Sequence, residues 1–321
     1  MSRPARLTYT LLTAYILAFY SEWMFWSGRP PSETFILEAI PSWIAYAFIT
    51  FLFLTAVTYY RVQSVWAVFL AGALYGWLLE GVLVQTMYDT FPINISFTGL
   101  AWHALFSVVF GWWWLPRRLR AGRGLLPCLL FGVGLGLWST GWWLEPDVAV
   151  AAPESVLLYN AVFGLLLVPA YVLWDRFDRA HFRPTRLEIT GALLLLVVYF
   201  ALVTVPTQPL ALPVLPLLLA VVLWALWKHR TRDSDIQPVS GKITYQRALP
   251  LLLIPLTASL VYMLVVAVGL SLPTLQILYG ITMPLGFILL AVALYKTMLR
   301  PRLSGDRVGA ADGVTASTKG D

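Results

Sequence analysis

Residues 65–88 read VWAVFLAGALYGWLLEGVLVQTMY, an apolar run broken by a single charge, Glu80. Wound as a helix rising 1.5 Å per residue, the run extends about 36 Å, enough to cross a hydrocarbon core of roughly 30 Å. Lipid offers no hydrogen-bond partner to free backbone groups, so a helix is the form in which such a run crosses. Similar runs recur from end to end of the chain. Of its 321 residues 59% are hydrophobic and only 12% charged, whereas a soluble domain carries about 25% charged residues. The alternating pattern of an outer-membrane barrel is missing. The expected fold is all-α, a polytopic transmembrane helical bundle of about ten spans.

The spans are expected near 8–27, 42–60, 65–88, 97–115, 125–144, 155–174, 188–205, 212–228, 249–268 and 275–298. Arg3 and Arg6 before the first run imitate a secretory signal. That run continues to about residue 27, contains Glu22 and lacks a small-residue cleavage site, so it reads as a retained span. Residues 28–41, with Pro30, Pro31 and Pro41, look too broken to span and are expected along the outer interface. Residues 1–299 form a single transmembrane domain in this reading. Residues 300–321 are polar and are expected to be a disordered cytoplasmic tail.

Counting spans from a cytoplasmic N-terminus places 21 of the 22 Lys and Arg residues on the cytoplasmic side, Arg29 being the exception. The outer loops carry Glu33, Glu38, Asp89, Glu145, Asp147 and Glu154 instead. Such asymmetry is the positive-inside pattern, and one miscounted span would destroy it. Both termini are therefore expected in the cytoplasm of a cell inner-membrane protein. The net charge of +6 is a topology signal with membrane lipids as partners, and it argues against nucleic acid. Trp23, Trp26, Trp43, Trp138, Trp142 and Trp143 fall near outer span ends and read as headgroup anchors.

A lone cysteine, Cys128, provides neither a disulfide framework nor a Cys-cluster metal site, and reads as packing. Gly132, Gly134 and Gly136 imitate a nucleotide loop but lie inside an apolar helix, where Gly132-x-x-x-Gly136 suits a close helix contact. His181 and His229 sit in basic loops and are expected to be solvated. No sequence feature names a cofactor.

Glu22, Glu80 and His103 are the ionisable residues inside spans, and Asn160 is a fourth strongly polar group. Counting down from the outer ends puts all four about 7–12 Å below the boundary. Each charge costs about 2.5–3.5 kcal/mol to insert, so such residues face a bundle interior or a wet cavity. Ser96, Gly99, His103, Ser107 and Gly111 form a small, polar stripe at helical spacing. A short loop joins the spans of Glu80 and His103, making them neighbours across an antiparallel hairpin.

A carboxylate beside an imidazole is an acid–base pair. Glu80, His103 and Glu22 are therefore the candidate catalytic residues, with Asn160, Trp77, Tyr88 and Tyr279 as candidate substrate contacts. Tyr262 and Gln276 are further candidates for the same pocket. A metal held by Glu22, Glu80 and His103 has little support from one histidine without a paired spacing. The competing reading is that the polar layer hydrogen-bonds internally and fixes helix register. Three functions compete: a membrane-embedded enzyme acting on a lipid or isoprenoid-like substrate, a secondary transporter or flippase of a small or lipidic molecule, and a non-catalytic subunit of a membrane complex.

Overall fold

The computed structural model describes residues 1–144, 148–230, 241–270 and 273–298. The expected tail at 300–321, and Glu145 and Asp147 of one outer loop, lie outside the described residues. Among the described residues there are helices and no strands. Eight helices are long and apolar enough to span, which makes this an all-helical, multi-pass membrane protein by length and composition.

In chain order, α1 is Arg3–Ala18, continued by a wider π-helical turn, Phe19–Trp23. Next come α2 (Phe35–Tyr59), α3 (Val65–Leu83), α4 (Ile95–Arg120), α5 (Leu125–Thr140) and α6 (Pro153–Trp174). The series closes with α7 (Arg186–Thr207), α8 (Ala211–His229), α9 (Tyr245–Val268) and α10 (Thr274–Met298). The eight long helices are all of these except α1 and α5.

Short side chains set several of the starts. Ser64 accepts from the Ala67 amide at 3.2 Å to cap α3. Thr185 and Glu188 cap α7 reciprocally, each side chain satisfying an amide that the helix leaves without a partner. Two boundaries differ from the sequence reading. Helix α2 begins at Phe35, so part of the segment expected along the interface is helical, and Pro41 is absorbed inside the helix. Helix α3 stops at Leu83, because Gln85 adopts a left-handed backbone (φ 70°) and a short 3₁₀ turn, Thr86–Tyr88, folds back beneath it.

Burial divides the bundle. The apolar windows of α3 and α4 are 89% and 72% buried, whereas that of α7 is 11% buried. Helices α3 and α4 therefore form the centre and α7 turns most of its surface to lipid. The α3–α4 approach is close because Gly72 lies against Ala104 and Gly76 against Gly99 and His103. Gly132 and Gly136 of α5 lie against the backbone of α9 at Ile254 and Ala258, the close contact that their spacing suggests.

The aromatic residues depart from the anchor reading. Trp23, Trp138 and Trp142 are buried. Trp138 and Trp142 donate their indole N–H groups to the Phe25 carbonyl at 2.7 and 3.1 Å. An indole with an internal acceptor gains nothing from headgroup depth, so these rings pack inward. His229 is buried as well; it ends α8 with Nε2 3.5 Å from the Gln63 amide. His181 is exposed beside Asp178.

Candidate functional site

Glu22, Glu80 and His103 each lie in π-wound backbone. The amide of Met24 reaches back five residues to Phe19 at 3.1 Å, and that of Val84 to Leu79 at 2.9 Å. Glu22 and Glu80 sit inside these turns. Residues Ile95–Trp114 of α4 are wound the same way along their whole length, with His103 near the middle. Widened turns of this kind gather at functional sites. A further π turn, Phe200–Thr204, carries no ionisable group, but its Thr204 hydroxyl donates to the Val82 carbonyl at 2.9 Å, inside the turn that holds Glu80.

Winding with more than four residues per turn rotates side chains away from the faces that α-spacing assigns. The stripe on α4 is dispersed accordingly. Ser96 turns to α10, donating to the Met283 carbonyl. Gly99 receives the Trp77 ring, and Gly111 receives Tyr20 of α1. His103 faces α3, where Nε2 lies 2.7 Å from Glu80 Oε1. The Thr86 hydroxyl donates to the other oxygen of Glu80. Glu80 and His103 are 6% and 2% exposed, and no protein group reaches His103 Nδ1 among the described residues.

Glu22 stands across from this pair. It accepts from Trp26 Nε1 at 3.0 Å and from the Tyr46 hydroxyl at 2.9 Å. The Tyr46 hydroxyl is also 3.3 Å from Ser21 Oγ, and its ring lies 6.3 Å from the His103 ring between centroids. Trp102 Nε1 donates to the Ser21 carbonyl at 2.9 Å, tying α4 to the π turn of α1.

One cavity of about 700 Å³ brings Glu22, Glu80 and His103 to a common wall. Thr86, Asn94, Trp102 and Tyr279 line it too. All its lining residues belong to the half of the bundle that ends in the loop at Asp89 and Thr90. Asn94 donates to the Thr86 carbonyl at 2.9 Å and lies 3.5 Å from the Tyr279 hydroxyl. The wall thus combines carboxylates and an imidazole with the aromatic rings of Trp26, Phe97, Trp102, Trp142 and Tyr279.

Not every expected residue joins it. Asn160 lies on another face: its amide oxygen accepts from Ser27 at 2.8 Å and its amide nitrogen donates to Ser259 at 3.0 Å. Trp77 is spent on the Ile95 carbonyl at 3.0 Å, and Tyr88 on the Gly81 carbonyl at 2.9 Å. Both lie behind the cavity wall and shape it from outside. Tyr262 donates to the Ala151 carbonyl at 2.8 Å, also away from the cavity. Gln276 and Tyr279 do line it. Among the described residues, no three His, Cys, Asp or Glu groups gather as metal ligands.

Tyr46 and Thr86 escaped the sequence reading. A tyrosine in an apolar span reads as packing, and Thr86 reaches Glu80 only through the reversal at Gln85. No protein-family model matches the chain, and neither a curated protein nor a solved structure matches it.

Proposed function

We propose that this protein is a ten-span enzyme of a cell inner membrane, with both termini cytoplasmic, that performs acid–base chemistry on a lipid or isoprenoid-like substrate from the outer leaflet. The observation that carries the reading is the shared cavity. Three carboxylates, of Glu22, Glu80 and Asp89, and the His103 imidazole line a single hollow of about 700 Å³, within the roughly 300–1,000 Å³ usual for small-molecule sites. Charges at this depth are costly and mark function.

In this reading Glu80 and His103 act as one unit. Their 2.7 Å contact lets a proton taken from the substrate at one site be held between them and returned at another. Thr86 fixes the Glu80 carboxylate, and Glu22, held by Tyr46 and Trp26, supplies a second carboxylate across the hollow. The aromatic rings of the wall accommodate the apolar part of the substrate.

Glue between helices would need the polar groups but no hollow. Transport would need a polar route to the opposite end, and the lining stays within one half of the bundle. The test replaces Glu80 with Gln and His103 with Ala in cells, reading expression and lipid composition together. Both variants are expected at normal levels, with a lipid accumulating ahead of the blocked step and conversion reduced by about 10²–10⁴-fold. Unchanged lipids with well-expressed variants would defeat the enzyme reading.

A further inference from the structure

A second cavity of about 330 Å³ shares Glu22 and Trp26 with the first. Arg29 lies on its wall. Its guanidinium carbon is 4.7 Å from the centroid of the Trp26 ring and 4.5 Å from that of Trp142. Two aromatic faces hold a planar cation well, but they leave its N–H edge directed elsewhere. Among the described residues no carboxylate is within ion-pair distance of Arg29, and its buried Nε has no acceptor. Glu38, on the same wall, is occupied by Ser32 and Thr34 at 2.8 and 2.7 Å.

The turn that carries Arg29 is clamped. Ser27 donates to Asn160 at 2.8 Å and lies 3.1 Å from Ser139 Oγ. Gly28 follows with φ 99° against the Ser139 backbone, where a side chain would collide. Trp138 and Trp142 both hold the Phe25 carbonyl. Contacts from α5, from α6 and from Trp142 thus hold this turn, and its charged side chain has no carboxylate partner among the described residues. Arg29 is also the one Lys or Arg of 22 that the positive-inside pattern leaves at the outer end, a placement that topology alone disfavours.

We infer that Arg29, held between Trp26 and Trp142, is an anion subsite that receives the phosphate of an amphipathic substrate whose remainder extends past Glu22 into the larger cavity. Arginine presents a fork of donors matched to phosphate oxygens, and Trp26 forms the partition between headgroup and reacting segment. Asn160 is then a positioning residue, acting through Ser27. The inference rests on the enzymatic reading above for the substrate's reacting end, but the anion subsite can be tested without turnover.

The experiment measures binding of dioleoyl phosphatidic acid, dioleoylglycerol and inorganic phosphate to the purified full-length protein in nanodiscs of neutral lipid, by native mass spectrometry. Wild type is expected to bind phosphatidic acid and not dioleoylglycerol. Arg29→Gln should weaken that binding by about tenfold or more, and Arg29→Lys by less, because charge survives but the fork does not. Binding is read here without turnover, so its outcome is independent of the Glu80→Gln conversion test, which separates this inference from the catalytic one. Competition by millimolar inorganic phosphate would assign the site to a free anion, and its failure to compete would assign it to a lipid headgroup. Equal phosphatidic acid binding by wild type and both Arg29 variants, or none by wild type, would overturn the subsite. If Arg29→Gln proves unstable, the comparison of Arg29→Lys with wild type decides.

Discussion

Both oxygens of Glu80 are engaged, one by His103 and one by Thr86, and both oxygens of Glu22 by Trp26 and Tyr46. Each carboxylate is therefore held in one orientation, which is what a proton-transfer group requires. Thr86→Val keeps the volume and removes the donor. Lipid conversion should fall about tenfold or more, and stability by about 1–3 kcal/mol, as expected for a hydrogen bond to a charged group. Tyr46→Phe leaves one oxygen of the half-buried Glu22 without its protein donor. It should cost about 1–3 kcal/mol of stability, measurable by reversible unfolding in mixed micelles. That Glu22, Glu80 and His103 lie towards one end of the bundle was legible in the sequence, because position along a span follows from counting residues. Facing was not. Rotation about a helix axis depends on winding, and π turns at Glu22, Glu80 and along α4 change the phase. Asn160 illustrates the limit: it turns to Ser27 and Ser259 instead of the cavity.

Helix pairs behave as small-residue contacts where side chains would collide. On α5, a methyl added at Gly136 would come within 2.7 Å of the Ala258 carbonyl, whereas at Gly134 it would meet nothing within 4 Å. Gly136→Ala should destabilise by about 1–3 kcal/mol as the helices are forced apart. Gly134→Ala should be neutral or stabilise by up to about 1 kcal/mol. Thermal unfolding in one detergent checks the pair. A similar destabilisation by both would mean that α5 does not meet α9 along the Gly132–Gly136 face. On α3, a methyl at Gly76 would lie 2.9 Å from His103 Cβ, so Gly76→Ala should impair conversion by displacing the imidazole from Glu80. The glycine spacing on α5 was readable from sequence because it follows α-helical periodicity. The Gly76–His103 approach was not, since α4 does not keep that period.

Across the whole molecule the basic residues and the cavity lie towards opposite ends in the proposed topology, which gives a direct test of orientation. Cys128 is fully buried, so single cysteines can be introduced against a quiet background. Thr90→Cys, at the cavity end, is expected to react with a membrane-impermeant maleimide in intact cells. Ala121→Cys, between α4 and α5, is expected to react only after permeabilisation. The reverse pattern would invert the chain and move the site to the cytoplasmic leaflet. Eight of the ten expected spans coincide with helices long and apolar enough to cross a membrane, whereas α1 and α5 are shorter; composition over a whole segment carries that signal. The loops were read less well: the helical start of α2 at Phe35 and the reversal at Gln85 depend on single backbone choices that composition does not report.

The most direct measurement reconstitutes wild-type protein and Glu80→Gln separately into liposomes, supplies total membrane lipid, and follows lipid species over time by mass spectrometry. One species should be consumed and another formed with wild type only, both proteins sharing the same unfolding midpoint. Identical lipid time courses for two equally folded proteins would contradict a catalytic role for the Glu80–His103 pair.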